Sequence, residues 1–399
     1  MKVKVRPEDF VVREEPLVAV SATPDRFAVF TLAKRQWDTF DLVSLLSRRL
    51  GVPRADISYG GIKDRFGATD QLVSIRAAAL GGRERGLAVE DRNFSLRFAG
   101  YAFEPMTAAA IRGNHFAITL RDMSADELER ALSRIDAVAR WGVPNYYDEQ
   151  RFGSARHGKG WVGKEIFRGR REQALRLYFE PSGHDESRVR RLKTCVVENW
   201  GRWEACLPLA TPEYRPILEY LAANRRAFRR ALLMIDRRLL LLMINAYQSF
   251  LFNGILSGVL ERLRAESGFP ALRYRTRWGE LLFPESLPEE LHGRLRALVL
   301  PVPGWDTTIA DPQVAEAAAQ VLEREGIALA DLRVRQLPRM EVHGITRPAL
   351  LLPERLEVIA HGGDELYPGR SKLALAFFLP RGGYATLVIK RLQATVRAV

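Results

Sequence analysis

Asp64 is the carboxylate in this chain best placed to do chemistry. It lies in the run Gly60-Gly61-Ile62-Lys63-Asp64-Arg65-Phe66-Gly67-Ala68-Thr69-Asp70-Gln71, flanked by Lys63 and Arg65. Neighbouring positive charge keeps an acid ionised even in partly dry surroundings, and an ionised carboxylate can act as nucleophile or base. A charged turn is the plainer reading of the same residues, because Gly and Asp are common where chains reverse. A second chemically useful group is the arginine cluster Arg225, Arg226, Arg229 and Arg230, followed by Arg237 and Arg238. Guanidinium groups on more than one helical face serve either as solvated or paired surface charge or as phosphate contacts.

Other constellations are decoys. Gly158-Lys159-Gly160-Trp161-Val162-Gly163-Lys164-Glu165 imitates a phosphate-binding loop, but it ends in Glu where a Ser or Thr hydroxyl must hold magnesium, so a nucleoside triphosphate site is rejected. Lys159 and Lys164 are left as surface bases available to RNA. The histidines are dispersed at 115, 157, 184, 292, 343 and 361 without paired-ligand spacing, and Cys195 and Cys206 lack zinc spacing, so no metal is expected. Two cysteines are too few for a disulfide framework and fit a reducing cytoplasm. Met1 to Val5 lacks the apolar stretch of a signal peptide.

The chain has 399 residues, 47% of them hydrophobic, which predicts a packed protein of two or three domains. Its net charge is +13, from basic residues scattered through the sequence and not gathered in a tail. Such an excess favours a polyanionic partner such as nucleic acid. The most apolar region, Ala231 to Leu242, is interrupted by Asp236-Arg237-Arg238 and falls short of the roughly 20 residues that span a bilayer. It is expected to be a buried helix, with no membrane association.

The elements that must position these side chains follow from periodicity. Asp9 to Glu14 and Phe27 to Ala33 read as an early strand pair, and Thr39 to Leu46 as a helix that stops near Gly51-Val52-Pro53. Ile57 to Tyr59 and Leu72 to Ile75 are short strands on either side of the Asp64 loop. Asn93 to Phe103 and His115 to Leu120 add strands, Gly113-Asn114 opens the latter, and Ala125 to Trp141 is a helix with Leu128, Leu132, Ile135 and Val138 on one face. After Gly153 the signals turn helical, with amphipathic segments at Glu172 to Phe179, Pro216 to Arg230 and Leu239 to Arg264. Strands return at Ala349 to Leu352, Leu356 to Ala360 and Lys372 to Leu379, and Ala385 to Gln393 is a closing helix. This order predicts a domain whose sheet is completed by both ends of the chain around an insertion.

The Gly60 to Gln71 run resembles the signature of the TruD family of tRNA pseudouridine synthases, G-x-K-D-x-x-A-x-T-x-Q, which carries that family's catalytic aspartate. Five further segments agree in the same order: Lys4-x-x-Pro7-Glu8-Asp9-Phe10-x-Val12-x-Glu14, Gly113-Asn114-x-Phe116, Pro144-Asn145-Tyr146-Tyr147-x-x-Gln150-Arg151-Phe152-Gly153, Ala246-Tyr247-Gln248-Ser249-x-Leu251-Phe252-Asn253, and Phe377-x-Leu379-Pro380-x-Gly382-x-Tyr384-Ala385-Thr386. They span residues 4 to 386. The resemblance implies an α+β fold: a discontinuous pseudouridine-synthase core with a mixed, largely antiparallel sheet, from residues 1–153 and 342–399, and an inserted helix-rich α+β domain at 154–341. It implies an RNA-modifying isomerase that converts uridine to pseudouridine in tRNA, at uridine 13, without a cofactor. A monomer working in the cytoplasm is expected.

The resemblance also implies roles. Asp64 is catalytic, Lys4 is its ion-pair partner, Lys63 and Asn114 support the site, and Phe116 stacks on the target uracil. Glu14 either orients Lys4 or faces water. Read from their place in a loop leaving a helix, Tyr146, Gln150, Arg151 and Phe152 bind ligand or fill a domain junction, and in the helix that holds Leu251 and Phe252 at most Tyr247 or Gln248 reaches the cleft. The chain departs from the family at Lys390-Arg391-Leu392, where Arg-Glu-Leu is usual. The reaction needs an ionised carboxylate, an aromatic platform for the detached base, and exclusion of water in a cleft between domains. Two competing readings are a non-catalytic RNA-binding protein and an N-glycosidase pairing Asp64 with Asp70 or Glu14.

Overall fold

The computed structural model describes residues 1–153, 159–183, 185–334 and 342–395. The chain forms two compact units, Met1–Val143 with Leu351–Thr395, and Pro144–Leu350. The divisions expected at 153/154 and 341/342 involve residues 154 and 341, which lie outside the described residues.

The first unit is built on a nine-stranded sheet. Its order across the sheet is Glu354–Gly363, Ser371–Pro380, Ile111–Met123, Phe10–Pro16, Ala68–Arg76, Phe27–Arg35, Phe94–Ala102 and Ala88–Asp91, with Ile57–Tyr59 also paired to Ala68–Arg76. Phe10–Pro16 runs parallel to Ala68–Arg76, and the other pairs are antiparallel. The α+β class is as expected, and the sheet draws on both ends of the chain: Phe377 lies opposite Phe116 in the Ser371–Pro380/Ile111–Met123 pair. Because side chains alternate along a strand, the registers place Lys34, Thr69, Val12, Phe116 and Phe377 in one row across five strands, on one face.

One end of that face is closed by the helix Thr39–Leu50. Its Leu42, Val43, Leu46 and Leu50 follow helical spacing and bury against Phe30, Leu32, Val73, Ile75 and Leu96, each such side chain contributing about 1.5–3 kcal/mol. Asp38 caps the helix by accepting from Phe40 N and Asp41 N. Elsewhere in the unit, Ala385–Gln393 packs on two short helices, Ala125–Leu132 and Ile135–Trp141. These two replace the single helix expected from Ala125 to Trp141. The break falls at Ser133-Arg134, where Arg134 turns its guanidinium to the carbonyl of Leu392 at 3.0 Å.

The second unit centres on the helix Arg237–Ser267. Asp236 starts it by accepting from Arg238 N and Leu239 N at 2.9 and 3.0 Å. The apolar stretch from Ala231 to Leu242 is therefore not one buried helix: it joins the end of Phe228–Leu233 to the start of the long helix, and Leu239 and Leu242 are exposed. The long helix is apolar and long enough to cross a membrane, yet its apolar residues pack on Val162–Phe167, Pro312–Glu325 and Val299–Val302. Pro216 to Arg230 likewise divides, into Arg215–Ala223 and Phe228–Leu233, because Asn224 caps the first piece through Tyr220 O. Elements not foreseen include the hairpin Ala271–Thr276/Gly279–Pro284 and the helix Ser187–Glu198. Cys195 on that helix and Cys206 bring their sulfurs to 2.7 Å, and burial together with Cys195 pushes the Cys206 thiol up to about 12.

Candidate active site

The Asp64 loop leaves the sheet where one strand changes partner. Ala68–Arg76 pairs with Phe10–Pro16 over residues 68–70 and with Ile57–Tyr59 over residues 73–75, and the loop from Gly60 to Gly67 joins the second of these partners to the strand itself. Both bounding glycines lie at close approach, Gly67 against backbone. A Cβ on Gly60 would lie 1.8 Å from Ile111 Cδ1, and one on Gly67 would lie 2.5 Å from Phe10 O.

Within the loop the side chains separate. Asp64 Oδ1 accepts from Phe66 N at 2.9 Å, and its Oδ2 pairs with Lys4 Nζ. Side chains of this pair are 15% and 18% exposed, so the carboxylate is accessible but not freely hydrated. Lys63 turns the other way, its Nζ 2.6 Å from Glu14 Oε2 and donating to Asn114 Oδ1 at 2.7 Å. Arg65 lies 6.0 Å from the Phe66 ring. The lysine paired with Asp64 lies sixty positions earlier in the chain, as the resemblance implied.

Lys4 is held in place at a cost. Its φ is +61°, a left-handed conformation for a non-glycine residue, which costs on the order of 1–3 kcal/mol and persists only when surroundings enforce it. Just after it the chain is anchored by Asp9, which accepts from Arg6 N at 2.9 Å and from Arg121 Nε at 2.7 Å, while Arg121 Nη1 reaches Asp364 at 3.0 Å. The Lys4 ammonium also sits 4.2 Å from the Phe10 ring centroid. Phe10 meets Phe116 edge-on at 6.2 Å, and Phe116 stacks on Phe377 at 5.5 Å. An aromatic floor thus continues from the ion pair along the sheet face. Phe116 is 8% exposed.

Glu14, whose side chain is 1% exposed, takes neither of its expected roles: it pairs with Lys63, and its Oε1 accepts from Leu72 N. Asn114 stands inside the strand Ile111–Met123, not in a turn opening it. Asp70 projects to the opposite sheet face from Thr69, where Arg13 pairs with it at 3.4 Å. With Asp70 turned away and Glu14 occupied, neither carboxylate is placed as a glycosidase partner for Asp64.

In the second unit, Gln150 and Arg151 lie in the turn Glu149–Phe152, and Arg151 Nε donates to Ser249 Oγ at 3.3 Å. The two motifs here support one another: Asn253 bonds Tyr147 N and O at 2.7 and 2.8 Å, and Ser257 Oγ donates to Tyr146 OH at 3.2 Å. Tyr247 is bonded to Glu325 and Gln248 to Pro303 O, and both are buried. The basic candidates also sort themselves. Lys159 pairs with Glu180, Lys164 with Glu325 at 2.7 Å, and Arg225 with Glu204 at 3.6 Å. Arg226, Arg229 and Arg230 line, with Arg171 and Phe228, a cavity of about 600 Å³. In the first unit, Lys390 and Arg391 are both buried, Arg391 donating to Ala137 O at 3.2 Å.

Sequence reasoning passed over Lys34, Arg121 and Asp364. For Lys34 a signal was present. Ala28, Phe30 and Leu32 face the core at every second position, so a lysine at the next inward position breaks an apolar series.

Comparison with known proteins identifies the family. The family model of tRNA pseudouridine synthase D (TruD) matches residues 1–392. A Methanococcus maripaludis protein named probable tRNA pseudouridine synthase D 1 is 30% identical, over 98% of this chain and 99% of its own length. The Aquifex aeolicus tRNA pseudouridine synthase D is 27% identical, over 98% of each chain. A crystal structure from Methanosarcina mazei, assigned to the same family, superposes with a TM-score of 0.72 at 27% identity, covering 99% of this chain and 94% of that one. The chain belongs to the TruD family of tRNA pseudouridine synthases and is an RNA-modifying isomerase.

Proposed function

We propose that the chain isomerises uridine 13 of tRNA to pseudouridine and that Asp64 is its catalytic carboxylate. The observation that carries the reading is the Lys4–Asp64 ion pair, about one-sixth exposed, at the end of the Phe10–Phe116–Phe377 floor. In the reaction the N1–C1′ bond breaks, the base turns, and a C5–C1′ bond forms; the C5 hydrogen leaves and N1 takes up a proton. Electrons balance within the substrate, so nothing is oxidised. Lys4 and the Phe66 N–H favour the charged carboxylate and aim it, while the aromatic floor offers a surface for the detached ring. Extruding a base costs a few kcal/mol, regained by stacking and edge hydrogen bonds. Uridine 13 rests on the motif resemblance, and Arg226, Arg229 and Arg230 are assigned to phosphate contact on the basis of their shared cavity.

The test is to incubate the protein with tRNA transcripts and map the product nucleosides by position. Pseudouridine at position 13 is expected. Unchanged uridine would indicate a binding protein, and free uracil a glycosidase; either would overturn the reading.

A further inference from the structure

We infer that Lys34 is a positioning residue for catalysis, whose ammonium form holds the backbone of Lys63 and Asp64 in the orientation that separates their side chains. The inference rests on the assignment of Asp64 as the catalytic carboxylate. Lys34 is 1% exposed. Its Nζ donates to Trp37 O at 2.9 Å, Lys63 O at 3.4 Å and Asp64 O at 2.8 Å. An ammonium has three N–H groups, and three carbonyl oxygens surround this one. With two consecutive loop carbonyls drawn to one cation, Lys63 turns its side chain to Glu14 and Asn114, and Asp64 turns its own to Lys4. Thr39 adds a brace, its Oγ1 accepting from Lys63 N at 3.2 Å.

The arrangement depends on the proton. A neutral amine has two donors and a lone pair, which would face the same three oxygens and repel one of them. The charged groups facing Lys34 are Asp64 and Lys63 from the loop and Asp38 from the start of the Thr39–Leu50 helix; the flanking strands present Thr69 and Phe94, which carry no charge. Burial outweighs the two carboxylates and, helped by Lys63, brings the lysine down to about 8. The folded value lies below the unfolded one of 10.5, so this group makes the fold more stable as pH rises from about 8 towards 10.5. A purely structural lysine would therefore show no loss on the alkaline side. A positioning ammonium loses activity there.

The experiment measures steady-state pseudouridine formation over a range of tRNA concentrations, and the melting temperature, from about pH 6 to 9 for the wild type, Lys34→Met and Asp64→Asn. The wild-type rate is expected to fall above about pH 8 without a matching fall in melting temperature relative to Lys34→Met. Lys34→Met is expected to lose about 10²-fold in kcat, the scale of a small misplacement of a reacting group, with KM for tRNA within about twofold and a flat pH profile. A wild-type rate that stays level or rises to pH 9, with Asp64→Asn inactive, overturns this inference alone, and so does a Lys34→Met variant as active as the wild type. If Lys34→Met does not fold, the paired wild-type profiles decide. A fully active Asp64→Asn overturns the underlying assignment and this inference with it.

Discussion

Asp64→Asn is the substitution with the most to reveal, because the structure limits what it disturbs. Asn can still accept from Phe66 N, now 2.9 Å from Asp64 Oδ1, and the backbone carbonyl bond to Lys34 is untouched. Lys63 is unaffected because its partners are Glu14 and Asn114. The ion pair with Lys4, whose side chains are 15% and 18% exposed, is lost. Two unit charges about 4 Å apart near a protein surface attract by about 4 kcal/mol. Most of this is offset: the carboxylate no longer suffers partial desolvation, and Lys4, which now meets the Asn amino group, can extend into water. A net loss of about 1–2 kcal/mol corresponds to a melting shift of roughly 2–8 °C in a unit of this size. Catalysis should suffer far more. Removing a nucleophile or base that nothing replaces costs at least about 10⁴-fold, or about 5.5 kcal/mol of transition-state stabilisation. The assay is single-turnover release of the C5 hydrogen from 5-tritiated uridine in tRNA, beside a binding titration and a thermal melt on the same preparation. A folded, tRNA-binding variant within tenfold of the wild-type rate would refute the assignment.

Glu14→Gln removes the partner of a Lys63 that is 8% exposed; breaking a buried pair costs about 3–5 kcal/mol, and a calorimetric melting shift of only a degree or two would show that Asn114 suffices alone. Phe116→Ala is expected to lower turnover by the equivalent of about 1–3 kcal/mol of base stacking. It should also lower stability by about 3–5 kcal/mol, because the ring is packed between Phe10 and Phe377; denaturant melts and initial rates separate the two effects, and unchanged kcat in the folded fraction would leave the ring purely structural. The double variant Arg226→Ala/Arg230→Ala should weaken tRNA binding and flatten the salt dependence of log K by about 1–2. Arg225→Ala, already paired with Glu204, should change binding less, and equal effects in the two proteins would remove the cavity from the RNA interface.

The sequence by itself determined the α+β character, the strands that flank Asp64, and the return of β-structure after the helical region, because these follow from local periodicity and from glycines that only a tight loop requires. It also marked Asp64, Lys4, Asn114 and Phe116 as belonging together, through motifs that survive as patterns of residue type. The resemblance also named Lys4 as the partner of Asp64, and the fold pairs them. Residue types did not determine the partner of Lys63: proximity along the chain offered it to Asp64, whereas the fold gives it to Glu14. Helix breaks at Ser133, Asn224 and Asp236 were hidden for a related reason: apolar spacing continues across them, and caps and side-chain bonds decide where each helix stops. The polar residues of the Tyr146 and Ser249 motifs looked equally suited to ligand and to scaffold until each was found bonded to the other's segment. Lys34 was visible only as a break in an alternating apolar series. Its partners are carbonyl oxygens, which every residue carries, so no pattern of residue types can announce them; they are brought to one point only when strand register and loop path are fixed together.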